Sequence, residues 1–249
     1  MTIEDLIVRL GPPKPLQVKE TALFLDLDGT LAPIAARPQD VVPDARRNHL
    51  LARLNAALNG RLAVVSGRTL DDIDRILEGQ TPNVAAVHGL VRRNADGRVT
   101  QVAPHPAMSR ATDALRDIAG ADPQMLVEDK GLSTTLHYRL APSRAAQANA
   151  AADRLAAETG LLLQKGDMVV ELRTPGPNKG DSVRAFMTTP PFAGATPVFL
   201  GDDATDEDGF AAAQALGGFG VLVGPARATQ ARFRLGGVDE ALAWLEAAR

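Results

Sequence analysis

The sequence has no cysteine, little excess charge and no long apolar run, and each absence excludes a class of function. Without cysteine there can be no disulfide and no thiolate-ligated metal. The 27 basic and 30 acidic residues nearly cancel, which gives no electrostatic sign of a nucleic-acid or membrane partner. No apolar run approaches the roughly 20 residues that span a bilayer, and residues 1–5 lack the basic and apolar features of a signal peptide. We therefore expect a cytoplasmic protein that binds neither nucleic acid nor membrane.

Two common nucleotide-binding loops are also missing. A Gly-x-Gly-x-x-Gly loop would begin at Gly218, but Val223 stands where its last glycine is needed, and no Gly-Lys-Ser or Gly-Lys-Thr loop occurs. What the chain does contain is a hydrophobic fraction of 45% over 249 residues. That is enough for the cores of one or two domains.

The most informative segment is Asp-Leu-Asp-Gly-Thr at residues 26–30, directly after the apolar residues 22–25. Residues i and i+2 of a strand share a face, so Asp26 and Asp28 are expected to project together where the strand ends. Two carboxylates at such a short distance repel each other. The repulsion raises the pKa of at least one of them, unless a cation or a proton lies nearby. The alternative for this segment alone is an ordinary acidic turn, since Asp and Gly are common in turns.

A second acidic segment, Gly-Asp-Asp-Ala-Thr-Asp-Glu-Asp at residues 201–208, follows the apolar residues 197–200. A solvated helix start accounts for the carboxylates at 206–208, because a helix N-terminus stabilises each by roughly 0.3–1 kcal/mol. It does not account for Asp202 and Asp203 at the strand end. If both apolar runs belong to one parallel sheet, their carboxyl ends share an edge. The carboxylates would then converge into an oxygen-rich site that suits Mg²⁺.

Two further segments offer groups that bind phosphate. Ser66 and Gly67 end a third apolar run, and Lys179 comes just before a helical stretch. Each segment alone is a weak signal, because Ser-Gly is a routine turn and a single lysine is usually solvated. The four segments together, in the order DxDGT, SGR, NKG and GDDxTDE, form a specific set.

This ordered set resembles the haloacid-dehalogenase-like phosphohydrolases and, within that superfamily, the trehalose-6-phosphate phosphatases. The resemblance spans the chain and rests on six local matches, at residues 26–34, 65–68, 88–89, 137–139, 177–180 and 201–208. One departure is visible: the family usually follows its His-Gly pair with a small residue and a glutamate, whereas this chain has Leu90 and Val91. The resemblance implies a Mg²⁺-dependent enzyme of trehalose biosynthesis that hydrolyses trehalose 6-phosphate through an aspartyl-phosphate intermediate.

Apolar runs alternate with helical stretches over much of the chain, which predicts an α/β fold with a doubly wound, Rossmann-like parallel sheet core. Core strands are expected at 22–27, 61–66, 84–88, 196–201 and 219–223, and core helices at 44–58, 69–77, 180–187 and 206–215. Asp44 and Thr69 are expected to cap two of these helices. Residues 1–20 are expected to form a short helical or irregular lead.

The pattern changes between 103 and 174, where strands follow one another at hairpin spacing. Helices are expected at 107–119 and 143–159, with strands near 124–128, 132–138, 161–165 and 168–173. This predicts an inserted α+β cap domain. We therefore expect a core domain at 1–103 and 175–249, and a cap domain for sugar recognition at 104–174.

The resemblance also implies roles for individual residues. It makes Asp26 the nucleophile, Asp28 the general acid and base, and Lys179 a further catalytic residue. The implied metal site comprises Asp26, Asp28, Asp202, Asp203 and Asp206, the last two in supporting positions. Phosphate binding falls to Thr30, Ser66, Gly67 and Lys179, and substrate binding to Arg68, His88, Gly89, Glu128, Lys130, Arg139 and Glu171. From pattern alone, the four cap residues of that set are equally compatible with the solvent face of a half-buried sheet.

Several alternatives stay open from the sequence. The nearest is a phosphatase for another sugar phosphate, of the sucrose-6-phosphate or mannosylglycerate type. A receiver-like phospho-acceptor module uses a similar acidic cluster, but it is typically much shorter and has no inserted domain. A catalytically inactive sugar-phosphate binding protein is a third, although every expected catalytic residue is present. The expected partner is a small sugar phosphate, the expected cofactor is Mg²⁺, and the expected state is a monomer.

Overall fold

The computed structural model describes residues 10–249. Its strands, in chain order, are β1 (Thr21–Leu25), β2 (Leu62–Val65), β3 (Asn83–Ala86), β4 (Val91–Arg93), β5 (Val99–Gln101), β6 (Leu126–Asp129), β7 (Ser133–His137), β8 (Leu162–Gly166), β9 (Val169–Arg173), β10 (Thr196–Gly201), β11 (Phe219–Val223) and β12 (Phe233–Leu235). Its α-helices are α1 (Ala45–Ala57), α2 (Leu70–Leu77), α3 (Met108–Ala119), α4 (Ala145–Thr159), α5 (Lys179–Met187), α6 (Glu207–Ala215) and α7 (Val238–Glu246). None of these helices is long and apolar enough to cross a membrane.

The chain forms two compact units. The first contains the described residues up to Thr100 together with Pro177–Arg249, and the second contains Gln101–Gly176. We call them the core unit and the cap unit. The predicted cap segment, 104–174, falls inside the second.

The core unit is built on an eight-stranded sheet in the order β12-β11-β10-β1-β2-β3-β4-β5. Its central strands, from β12 to β3, pair in parallel, while β4 pairs antiparallel to β3. This confirms the predicted α/β class with a mostly parallel sheet. In the central pair Leu25 lies opposite Leu200, so β1 and β10 end side by side. The acidic segments that follow these two strands therefore begin at one edge of the sheet.

Both faces of the central sheet are buried, which explains why its strands are apolar runs without alternation. On one face Phe24 packs with Phe186 and Phe192 from α5 and the turn after it, at ring-centroid distances of 5.5–6.2 Å. Leu23 and Leu25 point to the opposite face and have no exposed surface. Packing on both faces thus holds strand β1, including its carboxyl end, in place.

Side-chain caps begin the helices where the sequence placed them. Asp44 accepts a hydrogen bond from the N–H of Arg47 at the start of α1, and Thr69 accepts one from the N–H of Asp72 at the start of α2. Both N-cap predictions are confirmed. Helix α5 begins with a reciprocal pair, in which Asn178 accepts from the N–H of Asp181 and Asp181 accepts from the N–H of Asn178.

The cap unit is a four-stranded antiparallel sheet in the order β6-β7-β9-β8. Helices α3 and α4 cover one face, with Leu115 and Leu155 packed against Val170 and Leu172. The other face carries a polar row across the strands, formed by residues that lie opposite one another: Glu128, Thr135, Glu171 and Gln164. The sheet therefore has one apolar face, covered by helices, and one face with a row of polar residues.

Several elements differ from the expectation. Strands β4, β5 and β12 were not predicted, because three-residue strands are too short to show a pattern. The strand expected at 84–88 ends at Ala86, since a 3₁₀ turn follows at Val87–Gly89. The helix expected from Ser143 begins at Ala145, after a 3₁₀ turn at Pro142–Arg144. Of the expected lead at 1–20, residues 1–9 lie outside the described residues.

Candidate active site

The segment after β1 leaves the strand at once. Asp26 N–H donates to the carbonyl of Leu200, 2.9 Å away, and the chain then turns through Gly29 at φ 81°. A Cβ at Gly29 would collide with the Asp202 carboxylate, so only glycine permits this approach. The turn brings the two acidic segments into contact.

Lys179 lies at the centre of the acidic residues. It is the first residue of α5, and its Nζ donates to Asp26 Oδ1 at 2.8 Å and to Asp206 Oδ1 at 2.7 Å. The side chains of all three residues are at most 6% exposed. Burial alone would lower the pKa of Lys179, but the charges of Asp206 and Asp26 outweigh burial and raise that pKa. The two carboxylates therefore favour the charged form of the ammonium group.

Asp206 is fully buried, so the interpretation of residues 206–208 as a solvated helix start is wrong for this residue. Its Oδ2 accepts from the N–H groups of Asp202 and Asp203, both at 3.0 Å, while its Oδ1 accepts from Lys179. The chain makes a 3₁₀ turn at Ala204–Asp206, which folds this carboxylate back under the strand end. Asp206 thus links the acidic segment to Lys179.

Asp26, Asp202 and Asp206 each place one carboxylate oxygen within 4.8 Å of the others. Burial raises the pKa of Asp26 well above its ordinary value, with repulsion from Asp206 and Asp202 adding to the effect and Lys179 opposing it. Burial and repulsion from Asp206 likewise raise the pKa of Asp202 from 3.8 to about 7. The predicted convergence of the two acidic segments is therefore present in the structure.

The donor set fits a divalent cation. Three carboxylates around one ammonium group leave two uncompensated negative charges when all are ionised. Hard cations such as Mg²⁺ take oxygen ligands of this kind. Both oxygens of Asp206 already accept hydrogen bonds, which suits it to a supporting position and leaves Asp26 and Asp202 as the better direct ligands. Asp203 is not one of the three converging carboxylates, and its Oδ1 accepts from the N–H of Ala204.

Asp28 is bonded to a different partner from Asp26 and is not among the three converging carboxylates. Strand β1 ends at Leu25, so the rule that alternate residues share a face no longer applies at residues 26–28. The Asp28 carboxylate instead forms a two-pronged ion pair with Arg68, with Nε to Oδ2 and Nη2 to Oδ1 both at 2.7 Å. Arg68 was expected at the substrate, and the structure brings it to Asp28.

The other expected phosphate residues lie around these groups. Thr30 is fully buried, and its Oγ1 is 3.5 Å from Asp202 Oδ1. Ser66 is buried at the end of β2, where its Oγ accepts from the N–H of Arg68. A Cβ at Gly67 would collide with the ring of His88. The side chains of Thr30, Ser66 and His88 are thus packed into the same sheet edge.

The turn that carries His88 and Gly89 is strained. Val87 and His88 have φ values of 47° and 57°, in the left-handed region that β-branched residues rarely occupy. Backbone hydrogen bonds hold the turn, from Val87 N–H to the carbonyl of Arg68 and from His88 N–H to the carbonyl of Ser66. Such strain costs about 1–3 kcal/mol per residue and is concentrated at functional sites. The location of the turn supports a functional interpretation of His88.

In the cap unit, Glu128, Lys130 and Glu171 form a connected cluster on the polar face. Lys130 Nζ lies 3.3 Å from Glu171 Oε1 and 3.8 Å from Glu128 Oε2, and the Lys130 and Glu171 side chains are at most 8% exposed. Ser133 and His137 complete it, with Ser133 Oγ 2.5 Å from Glu171 Oε1 and His137 Nε2 2.9 Å from Glu128 Oε2. Burial would raise the pKa of Glu128, but the hydrogen bond from His137 and the charge of Lys130 lower it.

Arg139 is not part of this cluster. It lies beyond the end of β7, and its guanidinium donates to Asp167 Oδ2 at 2.8 Å and to the Asp167 carbonyl at 2.7 Å. The family resemblance had grouped it with Glu128, Lys130 and Glu171. Conversely, Ser133 and His137 were not predicted, although His137 belongs to one of the six matched segments.

Comparison with known proteins supplies independent information. Residues 24–239 match the trehalose-phosphatase family. The trehalose-6-phosphate phosphatase of Escherichia coli is 40% identical over 227 residues, which cover 90% of this chain and 85% of that protein. A probable trehalose-phosphate phosphatase of Sinorhizobium fredii is 39% identical over 206 residues, covering 82% of this chain and 78% of that protein.

Solved structures agree with the fold. A trehalose-6-phosphate phosphatase related protein superposes with a TM-score of 0.77 at 27% identity, over 90% of this chain and 95% of that chain. The C-terminal domain of a C. albicans trehalose-6-phosphate phosphatase superposes with a TM-score of 0.82, over 91% of each chain. At 22% identity, this second likeness bears on the fold alone.

Proposed function

The chain belongs to the trehalose-phosphatase family, and from that membership and its buried acidic centre we infer that it hydrolyses trehalose 6-phosphate to trehalose and phosphate. It is an enzyme of trehalose biosynthesis. The observation that carries the proposal is the placement of Asp26 against Lys179 and beside Asp202. A carboxylate that is to form a covalent bond to phosphorus needs fixed positive charge around it, because phosphoryl transfer depends mainly on positioning and charge neutralisation.

Asp26 is the proposed nucleophile. One of its oxygens forms a bond to phosphorus as the bond from phosphorus to the sugar oxygen breaks, which leaves an aspartyl phosphate. Lys179 fixes the carboxylate through Oδ1 and, as a buried cation, also counters the charge of the incoming phosphoryl group. Thr30, Ser66 and Gly67 are proposed to hold the phosphoryl oxygens from the same edge of the sheet.

Asp28 is the proposed proton carrier. It gives a proton to the departing sugar oxygen, and then takes one from the water molecule that attacks phosphorus and releases Asp26. The two steps return Asp28 to its starting state, so the net reaction consumes one water molecule. In the structure both oxygens of Asp28 accept from Arg68, so one of these two hydrogen bonds is released when Asp28 carries the proton, and the other keeps the carboxyl group oriented.

Asp26, the carbonyl of Asp28, and Asp202 are proposed to hold Mg²⁺, with Asp203 and Asp206 supporting them. The ion would neutralise negative charge on the carboxylates and the phosphoryl group. Asp206 holds two groups of this site in place. Its Oδ1 accepts from the Lys179 ammonium group, and its Oδ2 accepts from the backbone N–H of Asp202.

The cap cluster is the proposed sugar-recognition site. Glu128 and Glu171 supply acceptors and Lys130 supplies donors for hydroxyl groups. The ion pairs of Lys130 with both glutamates, and the hydrogen bond from Ser133 to Glu171, hold these groups in position before the sugar binds. Arg139 remains a predicted sugar contact, as do His88 and Gly89 in the core unit. This recognition by the cap would distinguish a disaccharide phosphate from a simple one.

The test is phosphate release from trehalose 6-phosphate, sucrose 6-phosphate, glucose 6-phosphate and an aryl phosphate, with Mg²⁺. We expect the highest kcat/KM for trehalose 6-phosphate, and a loss of several orders of magnitude in Asp26→Asn. Asp71→Asn, the same change at an exposed position of α2, is the matched control and should behave like the wild type. A folded Asp26→Asn variant that keeps more than a few percent of activity contradicts the nucleophile assignment. Preference for another sugar phosphate contradicts the substrate assignment.

A further inference from the structure

Arg227 lies in the loop between β11 and β12 and reaches back to the acidic segment after β10. Its Nη2 donates to the carbonyl of Asp203 at 2.8 Å and to that of Asp202 at 3.2 Å, and its Nε donates to the Asp202 carbonyl at 3.3 Å. No sequence motif singles out this arginine. Its target is the backbone of the residue that we propose as a direct metal ligand.

The peptide groups at 202 and 203 are thereby held from two sides. Asp206 Oδ2 accepts from both of their N–H groups, and Arg227 donates to both of their carbonyl oxygens. Gly29 limits movement on a third side, because the Asp202 carboxylate packs directly against its Cα. With its backbone bonded at both ends, Asp202 has little freedom to reorient.

Arg227 is itself fixed by its own loop. Its Nη1 contacts Glu207 Oε1 and donates to the carbonyl of Ala228 at 3.1 Å. Glu207 also accepts from Thr229 Oγ1 at 2.8 Å and from the N–H of Gln230 at 2.7 Å. The carboxylate of Glu207 therefore secures the loop and offsets the charge of the guanidinium.

We propose that Arg227 is a positioning residue for the metal site, which holds the 202–203 backbone so that the Asp202 carboxylate is ready for Mg²⁺ before the ion binds. The inference rests on the proposed function, in which Asp202 is a metal ligand. Groups that orient ligands typically change metal affinity by about tenfold to a hundredfold when they are removed. Ordering the loop only on binding would lower affinity in this way.

The charge of Arg227 predicts the opposite effect, which makes the proposal easy to refute. A guanidinium near a cation site repels the cation, so if charge alone mattered, Arg227→Gln would bind Mg²⁺ more tightly. If positioning dominates, Arg227→Gln binds Mg²⁺ about tenfold more weakly. Arg227→Lys keeps the charge but lacks the planar fork that reaches two carbonyls, and should weaken binding as well.

The experiment measures Mg²⁺ binding without substrate, by calorimetry and by the rise in Tm on adding Mg²⁺, together with kcat at saturating Mg²⁺. Arg234→Gln is the matched control, because Arg234 donates to the carbonyl of Gly224 in the same loop but is not bonded to residues 202–203. We expect both Arg227 variants to need more Mg²⁺ with kcat restored at saturation, and Arg234→Gln to bind like the wild type. Circular dichroism and the metal-free Tm establish that each variant is folded.

The outcomes separate the two proposals. If the wild type binds no Mg²⁺, the proposed metal site itself fails. If the wild type binds Mg²⁺ and both folded Arg227 variants bind it equally well or more tightly, the metal site stands and the positioning role is refuted. An Arg227→Lys variant with wild-type affinity also refutes the role of the planar fork.

Discussion

Replacing Lys179 by methionine should destabilise the metal-free protein strongly. The change removes the ammonium group between Asp26 and Asp206 but keeps a side chain of similar length. The Asp26 and Lys179 side chains are 6% and 4% exposed, and that of Asp206 is not exposed, so water cannot replace the lost interaction. Two buried carboxylates then face each other without a cation.

The expected loss follows from that burial. Removing one partner of a buried ion pair typically costs about 3–5 kcal/mol, because the other partner stays buried and uncompensated. For a protein of 150–250 residues, each kcal/mol lowers Tm by about 2–4 °C. We therefore expect Tm to fall by about 6–20 °C. Mg²⁺ should restore part of the loss, since it binds the same carboxylates in the folded state.

The loss of stability in Lys179→Met should become larger as pH rises. Burial already raises the pKa of Asp26, and removing Lys179 takes away the interaction that opposes the rise. An acid whose pKa is higher in the folded state stabilises that state while it holds its proton, and the stability is lost as pH rises through the folded pKa. The Tm difference between Lys179→Met and the wild type should therefore widen from pH 5 to pH 8.

Lys165→Met is the control. Lys165 Nζ lies 2.8 Å from Asp153 Oδ1, the same distance as between Lys179 and Asp26, but these two side chains are 47% and 56% exposed. An exposed pair contributes about 0–1 kcal/mol. Thermal denaturation in chelator-treated buffer measures both variants. If Lys179→Met loses no more stability than Lys165→Met, the reasoning from burial is refuted.

Three further predictions concern the metal and the sugar. Burial raises the pKa of Asp202 from 3.8 to about 7. The metal-free wild type should therefore lose stability relative to Asp202→Asn as pH rises from about 4 to about 7. A Tm difference between the two proteins that stays constant over this range contradicts the shift. Chelation should abolish phosphate release, and Mg²⁺ should restore it. Ca²⁺ should inhibit, because it takes more ligands at longer distances than Mg²⁺ does. Full activity after metal removal would mean that the cluster of acidic residues has a structural role only. Glu171→Gln keeps the shape of the side chain but removes its charge, and should lower kcat/KM for trehalose 6-phosphate about tenfold to a hundredfold more than for an aryl phosphate. Equal losses on both substrates would assign Glu171 to stability of the cap unit instead.

The sequence alone determined the fold class and the positions of the long elements. Continuous apolar runs marked the parallel strands, because a strand buried on both faces has no polar side. Asp44 and Thr69 marked helix starts, because capping depends on residues three positions apart. The order of the short motifs identified the family. These signals are local, so they can be read from the sequence without knowing which residues lie next to them in the folded protein.

The tertiary structure decided how the site residues pair. Lys179 meets Asp26 across 153 positions of the chain, and Arg68 meets Asp28 across 40. Local rules accounted for Asp206 as a solvated helix start, and only the resemblance placed it at the metal. They gave no partner for Asp28, because they describe helix starts and strand faces but not the turns that follow a strand. No sequence signal pointed to Arg227, since the groups that it bonds at residues 202 and 203 are backbone carbonyls, which every residue has. Burial, charge compensation and pKa depend on what lies next to a group in space, and that neighbourhood is created only when distant segments of the chain pack together.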